Sequence, residues 1–358
     1  MATKKKNFYN IENLLKEKAQ YSILLGQRSN GKSYQCKKLV LDEAYKKGLN
    51  FIYLRRMNAD AKPSKVEQYF NDIVTDGYIT ELTGGEWDGI ACRNSYICFS
   101  RLDEENKLIR SKPIGQYWDL RTAEHAKSMS FVNVGTILYE EFITDGIYLD
   151  NEPTRFMQFV STVARLNRVR VLMVGNTLTR VCPYLIEWGL EPVLRQKIGT
   201  IETYTFETGD GEKVKLAVER CATSNFKNHM FFGKAADQIV KGEWDTHAVP
   251  IIPNPPSVYE RIYPVLLDYH TFKFVMELLI DANTGGRFVY IYPHHGKRKI
   301  DRVITPDFSD KPFITNQFLP KIPAESMMLE CFKIGKVCYS DNLTGTDFEN
   351  VRKNFMFV

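Results

Sequence analysis

A glycine-rich loop between a short apolar stretch and a helical pattern constrains this chain more than any other feature. Residues 21–33 read YSILLGQRSNGKS, in which the strand pattern Ile23–Leu25 leads into a G-x-x-x-x-G-K-S loop. Gly26 and Gly31 let the backbone curl so that successive N–H groups point inward at a polyphosphate. A helix that starts after the loop adds its positive N-terminal end to the same site. The stretch therefore predicts a nucleoside triphosphate site on an α/β fold.

Eight consecutive loop residues are the expected contacts to ATP. The Lys32 side chain can reach the β- and γ-phosphates, and the Ser33 hydroxyl is suited to ligating Mg²⁺. The alternative interpretation is an ordinary glycine turn between a strand and a helix. The expected binding set is Gly26, Gln27, Arg28, Ser29, Asn30, Gly31, Lys32 and Ser33.

Two adjacent acidic residues close a later apolar stretch, TILYEEF at residues 136–142. A phosphate loop needs an acidic partner for the metal and, if it hydrolyses, a base for the attacking water. We expect Glu140 to lie beside Ser33 and hold Mg²⁺ through water, and Glu141 to polarise the attacking water. The alternative is the solvated end of a strand. Asn176 ends the next apolar stretch and is expected to sense the γ-phosphate, although Asn is also a common turn residue.

Composition limits the class of protein and its compartment. The 358 residues are 44% hydrophobic and 25% charged, which is typical of a globular protein with two domains. The seven cysteines are scattered without a C-x-x-C pair, which favours a reducing compartment over a disulfide framework or a zinc site. No apolar run reaches the length of a membrane span, so no membrane partner is expected. The net charge of +5 lies in the first 200 residues and is compatible with nucleic-acid binding.

Apolar strands alternate with helical patterns through the first half of the chain. This alternation predicts a parallel α/β sheet, with β-hairpins inserted around the glycines of residues 84–120. The expected helices are 8–20, a segment ending at 47, 66–73 and 154–166, and the further expected strands are 49–54, 134–139 and 169–174.

The pattern changes near residue 200. We expect a hairpin at 204–218, a polar helix at 225–244, a proline-rich linker at 253–256, and strands at 269–280 and 287–292. The sequence TDFE at residues 346–349 is a capping-box pattern and predicts the start of a final helix. These changes divide the chain into a nucleotide-binding domain (1–200), a linker or lid region (201–250) and a C-terminal domain (251–358).

Five segments together resemble the DNA-packaging ATPases of φ29-like bacteriophages. The resemblance covers most of residues 7–180 and continues weakly to the C-terminus. The segments are YSILLGQRSNGKS (21–33), FIYLRR (51–56), VEQYFNDI (66–73), VGTILYEEFI (134–143) and VLMVGN (171–176). The resemblance implies an ASCE-type ring ATPase fold, with an extra strand between the phosphate-loop and acidic strands. One departure is Glu140, where the family usually has Asp.

The same resemblance implies a function and a set of partners. It implies a subunit that hydrolyses ATP with Mg²⁺ and forms a homopentameric ring driving double-stranded DNA into a procapsid. The ring would work in the host cytoplasm, docked transiently on the procapsid portal. Whether a packaging RNA joins the chain to the portal stays open. Two other functions also stay open: a P-loop nucleotide or small-molecule kinase, against which Glu141 counts, and a P-loop NTP-binding switch protein without fast turnover.

The resemblance also implies functional roles for several positively charged residues. In such rings a neighbouring subunit supplies a cation to the γ-phosphate. Arg165 is the best match to the family's arginine finger, with Arg168 as the second choice. Lys127 resembles a second trans-acting lysine, and Arg28 matches an arginine inside the family's phosphate loop. For each of them the alternative is a solvated surface charge.

Packaging cannot depend on sequence, so DNA must be gripped by its phosphates. The family places DNA-gripping lysines in the loop that follows FIYLRR, where this chain has Lys62 and Lys65. Arg55 and Arg56 either bind DNA, contact nucleotide or stabilise the strand end.

The resemblance implies an RNase-H-like α+β fold for the C-terminal domain, without nuclease activity. Its nearest acidic residues, Asp281, Asp301 and Asp307, do not form a pattern that would hold two metal ions. A basic segment in this domain fits a hairpin tip that touches nucleic acid, through Lys297, Arg298 and Lys299.

Overall fold

The computed structural model describes residues 9–222, 244–296, 298–355 and 357, with the side chains of residues 127 and 128 left out. The chain divides into two compact units. The first contains the described residues of 1–143, 149–177 and 192–243, and the second those of 144–148, 178–191 and 244–358.

One mixed sheet forms the centre of the first unit, in the order β3-β4-β5-β2-β6-β7-β1-β9-β8. Neighbours from β5 to β9 in this order run parallel, and β3, β4 and β8 are antiparallel additions at the two edges. Its strands are β1 Tyr21–Gly26, β2 Asn50–Arg55, β3 Gly89–Arg93, β4 Tyr96–Leu102, β5 Leu108–Asp119, β6 Val134–Glu140, β7 Arg170–Asn176, β8 Thr200–Glu207 and β9 Lys213–Arg220. Since β7 lies between β1 and β6, the expected extra strand is confirmed.

Helices cover the faces of this sheet, which explains why its central strands are continuous apolar runs. Every residue of β6 is buried, and Ile23, Leu24 and Leu25 of β1 are fully buried. The helices are α1 Glu12–Lys16, α2 Lys32–Lys47, α3 Pro63–Thr75, α4 Tyr78–Leu82 and α5 Glu152–Ala164, with short 3-10 turns at Asn58–Asp60, Ala123–Ser128 and Glu191–Arg195.

The hairpin expected near residue 204 is present, and it belongs to the first sheet. β9 pairs in parallel with β1, with Tyr21 opposite Leu216 and Leu25 opposite Arg220. The segment that we expected as a separate linker or lid therefore contributes two strands to the nucleotide-binding unit. The helix expected at 225–244 lies outside the described residues, apart from Trp244.

A second sheet forms the centre of the second unit, in the order β14-β13-β10-β11-β12-β15. β10, β11 and β12 form an antiparallel meander, β13 runs parallel to β10, and β15 runs parallel to β12. This mixed order agrees with the α+β arrangement expected for the domain. The strands are β10 Tyr259–Tyr269, β11 Phe272–Asp281, β12 Arg287–Pro293, β13 Arg302–Ile304, β14 Ile314–Thr315 and β15 Val337–Tyr339, and the helices are α6 Pro183–Glu187, α7 Pro323–Lys333 and α8 Asn342–Phe355.

One strand of this unit was missed, and the start of its last helix was predicted at the wrong position. Strand β10 was missed because Pro264 and a bulge between Ile262 and Val265 interrupt its alternation. Helix α8 begins at Asn342, four residues before the expected capping box. Asp341 caps it instead, by accepting a hydrogen bond from the Thr344 N–H at 2.8 Å.

All seven cysteines are free thiols. Within the described ranges, every helix is too short or too polar to cross a bilayer.

Candidate nucleotide-binding site

The phosphate loop connects the carboxyl end of β1 to the first turn of α2, and two glycines make its path possible. Gly31 has a φ of 96°, a backbone conformation that residues other than glycine rarely adopt. A Cβ on Gly26 would lie 3.2 Å from Asn30 Nδ2 and 3.3 Å from Cys221 Cβ. The first glycine is thus favoured by close packing and the second by its dihedral angle.

Lys32 is buried at the centre of this loop. Its ammonium donates to the carbonyl oxygens of Gly26 at 3.2 Å and Gln27 at 2.6 Å, and to the Asn30 side-chain oxygen at 3.2 Å. It also lies 3.4 Å from Asn176 Oδ1 at the end of β7. Burial lowers the pKa of Lys32, and the nearby Cys221 and Glu140 oppose that shift. The lysine and the expected γ-phosphate sensor therefore meet at one point.

A cavity of about 420 Å³ opens along the loop, within the range of small-ligand sites. Its lining combines the loop, the end of β7 and the C-terminal part of α3. The lining residues are Arg28, Ser29, Asn30, Gly31, Lys32, Ser33, Tyr34, Asp72, Asp76 and Asn176.

Glu140 lies beside Ser33, as the sequence predicted. The Ser33 hydroxyl donates to Glu140 Oε2 at 3.1 Å, and the Tyr69 hydroxyl donates to Oε1 at 2.6 Å. Burial raises the pKa of Glu140, while the two hydrogen bonds favour the ionised form. A hydroxyl and a carboxylate oxygen are hard donors of the kind Mg²⁺ prefers, so this pair fits the ion. Mg²⁺ usually keeps several waters and takes substrate phosphate oxygens as further ligands.

Glu141 follows directly, with a φ of 56° that turns the chain sharply at the end of β6. Its carboxylate accepts a hydrogen bond from Arg55 at 2.6 Å, and its side chain is 58% exposed. The Arg56 guanidinium donates to the backbone carbonyls of Glu141 at 3.1 Å and Phe142 at 2.5 Å, and pairs with the buried Glu152 at 2.8 Å. Of the roles considered for Arg56, these contacts match stabilisation of a strand end.

Sequence reasoning missed two groups of this site. The Tyr69 hydroxyl contacts Glu140, and Lys37 of α2 pairs with Asp72 of α3 at 2.6 Å. Residues 66–73 were recognised as a helix and as a family motif, but no partner was predicted for Tyr69. Tyr69 lies beside the buried residues Val66, Phe70 and Ile73 of its helix, and a polar group next to the core was the available signal because such a group needs a partner.

The expected trans-acting arginines lie away from the nucleotide site of their own chain. Arg165 occupies the C-cap position of α5, and both Arg165 and Arg168 are exposed. Both precede β7, whose opposite end carries Asn176, and seven residues of strand span roughly 20 Å. Lys127 lies in the 3-10 turn Ala123–Ser128, and the structure does not describe its side chain.

Lys62 and Lys65 are exposed at the start of α3. Lys62 occupies the N-cap position and Lys65 lies in the first helical turn, so the expected loop ends earlier than predicted. Arg28 is also exposed, at the rim of the cavity.

The basic segment of the second unit is a crossover and not the hairpin tip that we expected, because β10 and β11 separate β12 from β13. Arg298 forms an ion pair with the buried Glu277 at 2.6 Å, and Lys299 is exposed. Lys297 lies outside the described residues. Asp281 accepts hydrogen bonds from Asn283 and Thr284 in the turn after β11.

A phosphate loop between β1 and α2, an acidic residue ending β6 and an intervening β7 define a P-loop NTPase of the additional-strand class. The sequence profile of the family described as Podovirus DNA encapsidation protein (Gp16) matches residues 3–229. The chain belongs to this family and is a phage DNA packaging protein, which confirms the resemblance seen in the motifs.

Curated relatives and solved structures agree with this assignment. The DNA packaging protein of Bacillus phage PZA is 29% identical to this chain over 323 residues, which are 87% of each chain. The DNA packaging protein of Bacillus phage phi29 is 29% identical over 326 residues, which are 90% of this chain and 86% of the relative. Two solved structures share the fold. The Phi-28 gp11 DNA packaging motor has a TM-score of 0.52, 15% identity and 98% coverage of both chains. The bacteriophage Phi-29 viral genome packaging motor assembly has a TM-score of 0.54 and 21% identity, and the match covers 97% of this chain and 99% of that one.

Proposed function

We propose that this chain is a motor subunit that hydrolyses ATP to ADP and phosphate and translocates double-stranded DNA into a procapsid. The observation that carries the proposal is the meeting of Lys32, Ser33, Glu140 and Asn176 at the carboxyl edge of one sheet, with Glu141 next in the chain. Family membership supplies the DNA-packaging context.

The loop residues divide the work of binding the nucleotide. The backbone N–H groups and Lys32 bind the β- and γ-phosphates, and Asn176, 3.4 Å from the lysine, is placed to contact the γ-phosphate. Ser33 and Glu140 would hold Mg²⁺. When bound, Mg²⁺ neutralises charge that develops on the phosphate oxygens.

Glu141 is the proposed base for the attacking water. Its carboxylate is paired with Arg55, so it must turn away from that arginine before it can accept a proton from water. Its 58% exposure leaves room for that rotation. Asn176 and Lys32 then hold the phosphate while the in-line water is oriented.

We propose that subunits assemble into a homopentameric ring docked on the procapsid portal in the host cytoplasm. The placement of Arg165 and Arg168 at the opposite edge of the sheet from Asn176 supports a role in a neighbouring subunit's site. Lys127 is proposed as a second trans-acting cation. A packaging RNA is an additional candidate partner.

DNA is held by its phosphates in this proposal. Lys62 at the N-cap of α3 and Lys65 in its first turn are both exposed, so two positive charges project from one end of the helix. Lys297 and Lys299 are further candidates in the second unit. Arg298 is a weaker candidate because it neutralises Glu277. Such contacts are sequence-independent and weaken as salt rises.

The experiment that tests this function compares DNA-stimulated ATP hydrolysis of the wild type, Glu141→Gln and Glu104→Gln. Glu104 is an exposed acidic residue outside the site and serves as the matched control. We expect Glu141→Gln to bind ATP but to hydrolyse it about 10²–10⁴-fold more slowly, since a general base contributes that much.

Hydrolysis by Glu141→Gln at the wild-type rate would remove Glu141 from the role of base. Phosphoryl transfer to a small acceptor with no effect of DNA would favour the kinase, and ATP binding without DNA-stimulated turnover would favour the switch protein.

A further inference from the structure

We propose that Tyr69 is a positioning residue that couples DNA contact by helix α3 to the metal site at Glu140. The inference rests on the proposed function, in which Glu140 holds Mg²⁺ and Lys62 and Lys65 contact DNA. It assigns a role to a side chain that is not among those lining the cavity at the phosphate loop.

A short path joins the two sites. Lys65 precedes Tyr69 by four residues, which is just over one helical turn and a rise of about 6 Å. The Tyr69 hydroxyl donates to Glu140 Oε1 at 2.6 Å, and the other oxygen of the same carboxylate accepts from Ser33 at 3.1 Å. One carboxylate is therefore shared between the helix that carries the DNA-facing lysines and the phosphate loop.

The ring of Tyr69 is fixed to its helix and to the sheet. Its centroid lies 4.5 Å from the ring of Tyr53 on β2 and 5.0 Å from that of Phe70. Lys37 of the phosphate-loop helix donates to the Tyr69 carbonyl at 2.7 Å and pairs with Asp72 at 2.6 Å. The hydroxyl is therefore held between α3 and the sheet, so a displacement of α3 against the sheet acts on its bond to Glu140.

The geometry makes the coupling sensitive to small movements. The hydrogen bond of 2.6 Å passes out of hydrogen-bonding range when α3 moves by about 1 Å away from β6. Such a shift releases one oxygen of Glu140 and changes how the carboxylate is presented to Mg²⁺. DNA contact at Lys62 and Lys65 acts at the start of the same helix.

The length of the acidic side chain is part of this arrangement. Glu140 spans from Ser33 to Tyr69 with one oxygen for each hydroxyl. Asp is shorter by one methylene, so Glu140→Asp should no longer bridge the two hydroxyls.

Tyr69→Phe tests the proposal because it removes only the hydroxyl and keeps the packed ring. Tyr78→Phe is the matched control, since the Tyr78 hydroxyl donates to Asp42 outside the metal site. The measurements are Mg²⁺-dependent binding of a fluorescent ATP analogue, and ATP hydrolysis against Mg²⁺ concentration with and without DNA. We expect Tyr69→Phe to raise the half-saturating Mg²⁺ about tenfold and to reduce the stimulation by DNA, because a hydrogen bond to a charged group is lost.

A double-mutant cycle separates positioning from packing. We expect Tyr69→Phe to have a smaller further effect on Mg²⁺ dependence in the Glu140→Asp background, because the shorter carboxylate no longer bridges the Ser33 and Tyr69 hydroxyls. Unchanged Mg²⁺ dependence in Tyr69→Phe, or equal effects in both backgrounds, would overturn the proposal. The binding measurement does not require turnover, so it still decides the role of Tyr69 if the wild type proves not to hydrolyse ATP.

Discussion

At the scale of single residues, the turn after β6 depends on two adjacent arginines with different tasks. Glu141 adopts a φ of 56°, which costs a non-glycine residue of the order of 1 kcal/mol. Arg56 holds that turn through two carbonyls and neutralises Glu152, which is fully buried. Arg55 instead pairs with the exposed carboxylate of Glu141.

We predict that Arg56→Ala destabilises the first unit by about 3–5 kcal/mol, because removing one partner of a buried ion pair leaves the other charge uncompensated. Arg55→Ala is the control and should cost about 1 kcal/mol or less, since its partner is exposed. Denaturant titration of both variants measures the difference. Equal destabilisation by the two changes would contradict the division of tasks.

At the scale of elements, the site forms because parallel strands bring their carboxyl ends to one edge of a sheet. Gly26 at the end of β1 lies opposite Asn176 at the end of β7, and Glu140 ends the strand that follows on the other side. The order β6-β7-β1 thus sets the spacing between the phosphate loop and the acidic pair.

Helix α8 contains a buried acidic residue whose titration can be predicted. Burial raises the pKa of Asp347 to about 6, although Arg180 at 3.0 Å opposes the shift. The opposite holds near the start of α8: burial acts to raise the pKa of Asp341, yet hydrogen bonds from Thr344 and Ser340 lower it overall.

We predict that the Asp347 carboxyl lowers the free energy of unfolding as pH rises from about 4 to about 6. The folded chain holds this proton more tightly than the unfolded chain, so the stabilisation present at low pH is lost through that window. The shift corresponds to about 3 kcal/mol at most, and above pH 6 the loss is complete. Asp347→Asn should remove it.

Denaturant titration between pH 4 and 7 checks this prediction. The stability of Asp347→Asn relative to the wild type should rise with pH over this range. That of Asp341→Asn should change little, because a lowered carboxyl pKa places its titration below the range measured. A difference between Asp347→Asn and the wild type that does not change with pH would refute the prediction.

At the scale of the whole molecule, the trans-acting arginine that we propose would make each site depend on two chains. We predict that Arg165→Ala subunits and Glu141→Gln subunits, each inactive alone, recover part of the DNA-stimulated ATPase when mixed, because some sites receive an intact base and an intact arginine. ATPase assays across mixing ratios measure the recovery. Arg168→Ala mixed in the same way distinguishes the two candidate arginines, and no recovery at any ratio with either would argue against a trans role.

The sequence by itself determined the chemistry that is local in the chain. The phosphate loop and the acidic pair at 140 and 141 are each encoded within a few residues, because glycine, lysine and carboxylate positions follow directly from spacing along a strand and turn. The alternation of strands and helices likewise predicted the parallel sheet. Strand β10 was not predicted from the sequence, because a proline and a bulge break its alternating pattern.

Only the tertiary structure decided the contacts that connect those local pieces. Tyr69 and Glu140 are 71 residues apart, and Arg56 and Glu152 are 96 apart. The place of the 200–220 hairpin beside β1 also depends on a pairing across almost 200 residues. Local spacing carries no information about such pairs, because which polar groups meet is fixed only when helices and strands pack and every buried polar group must find a partner.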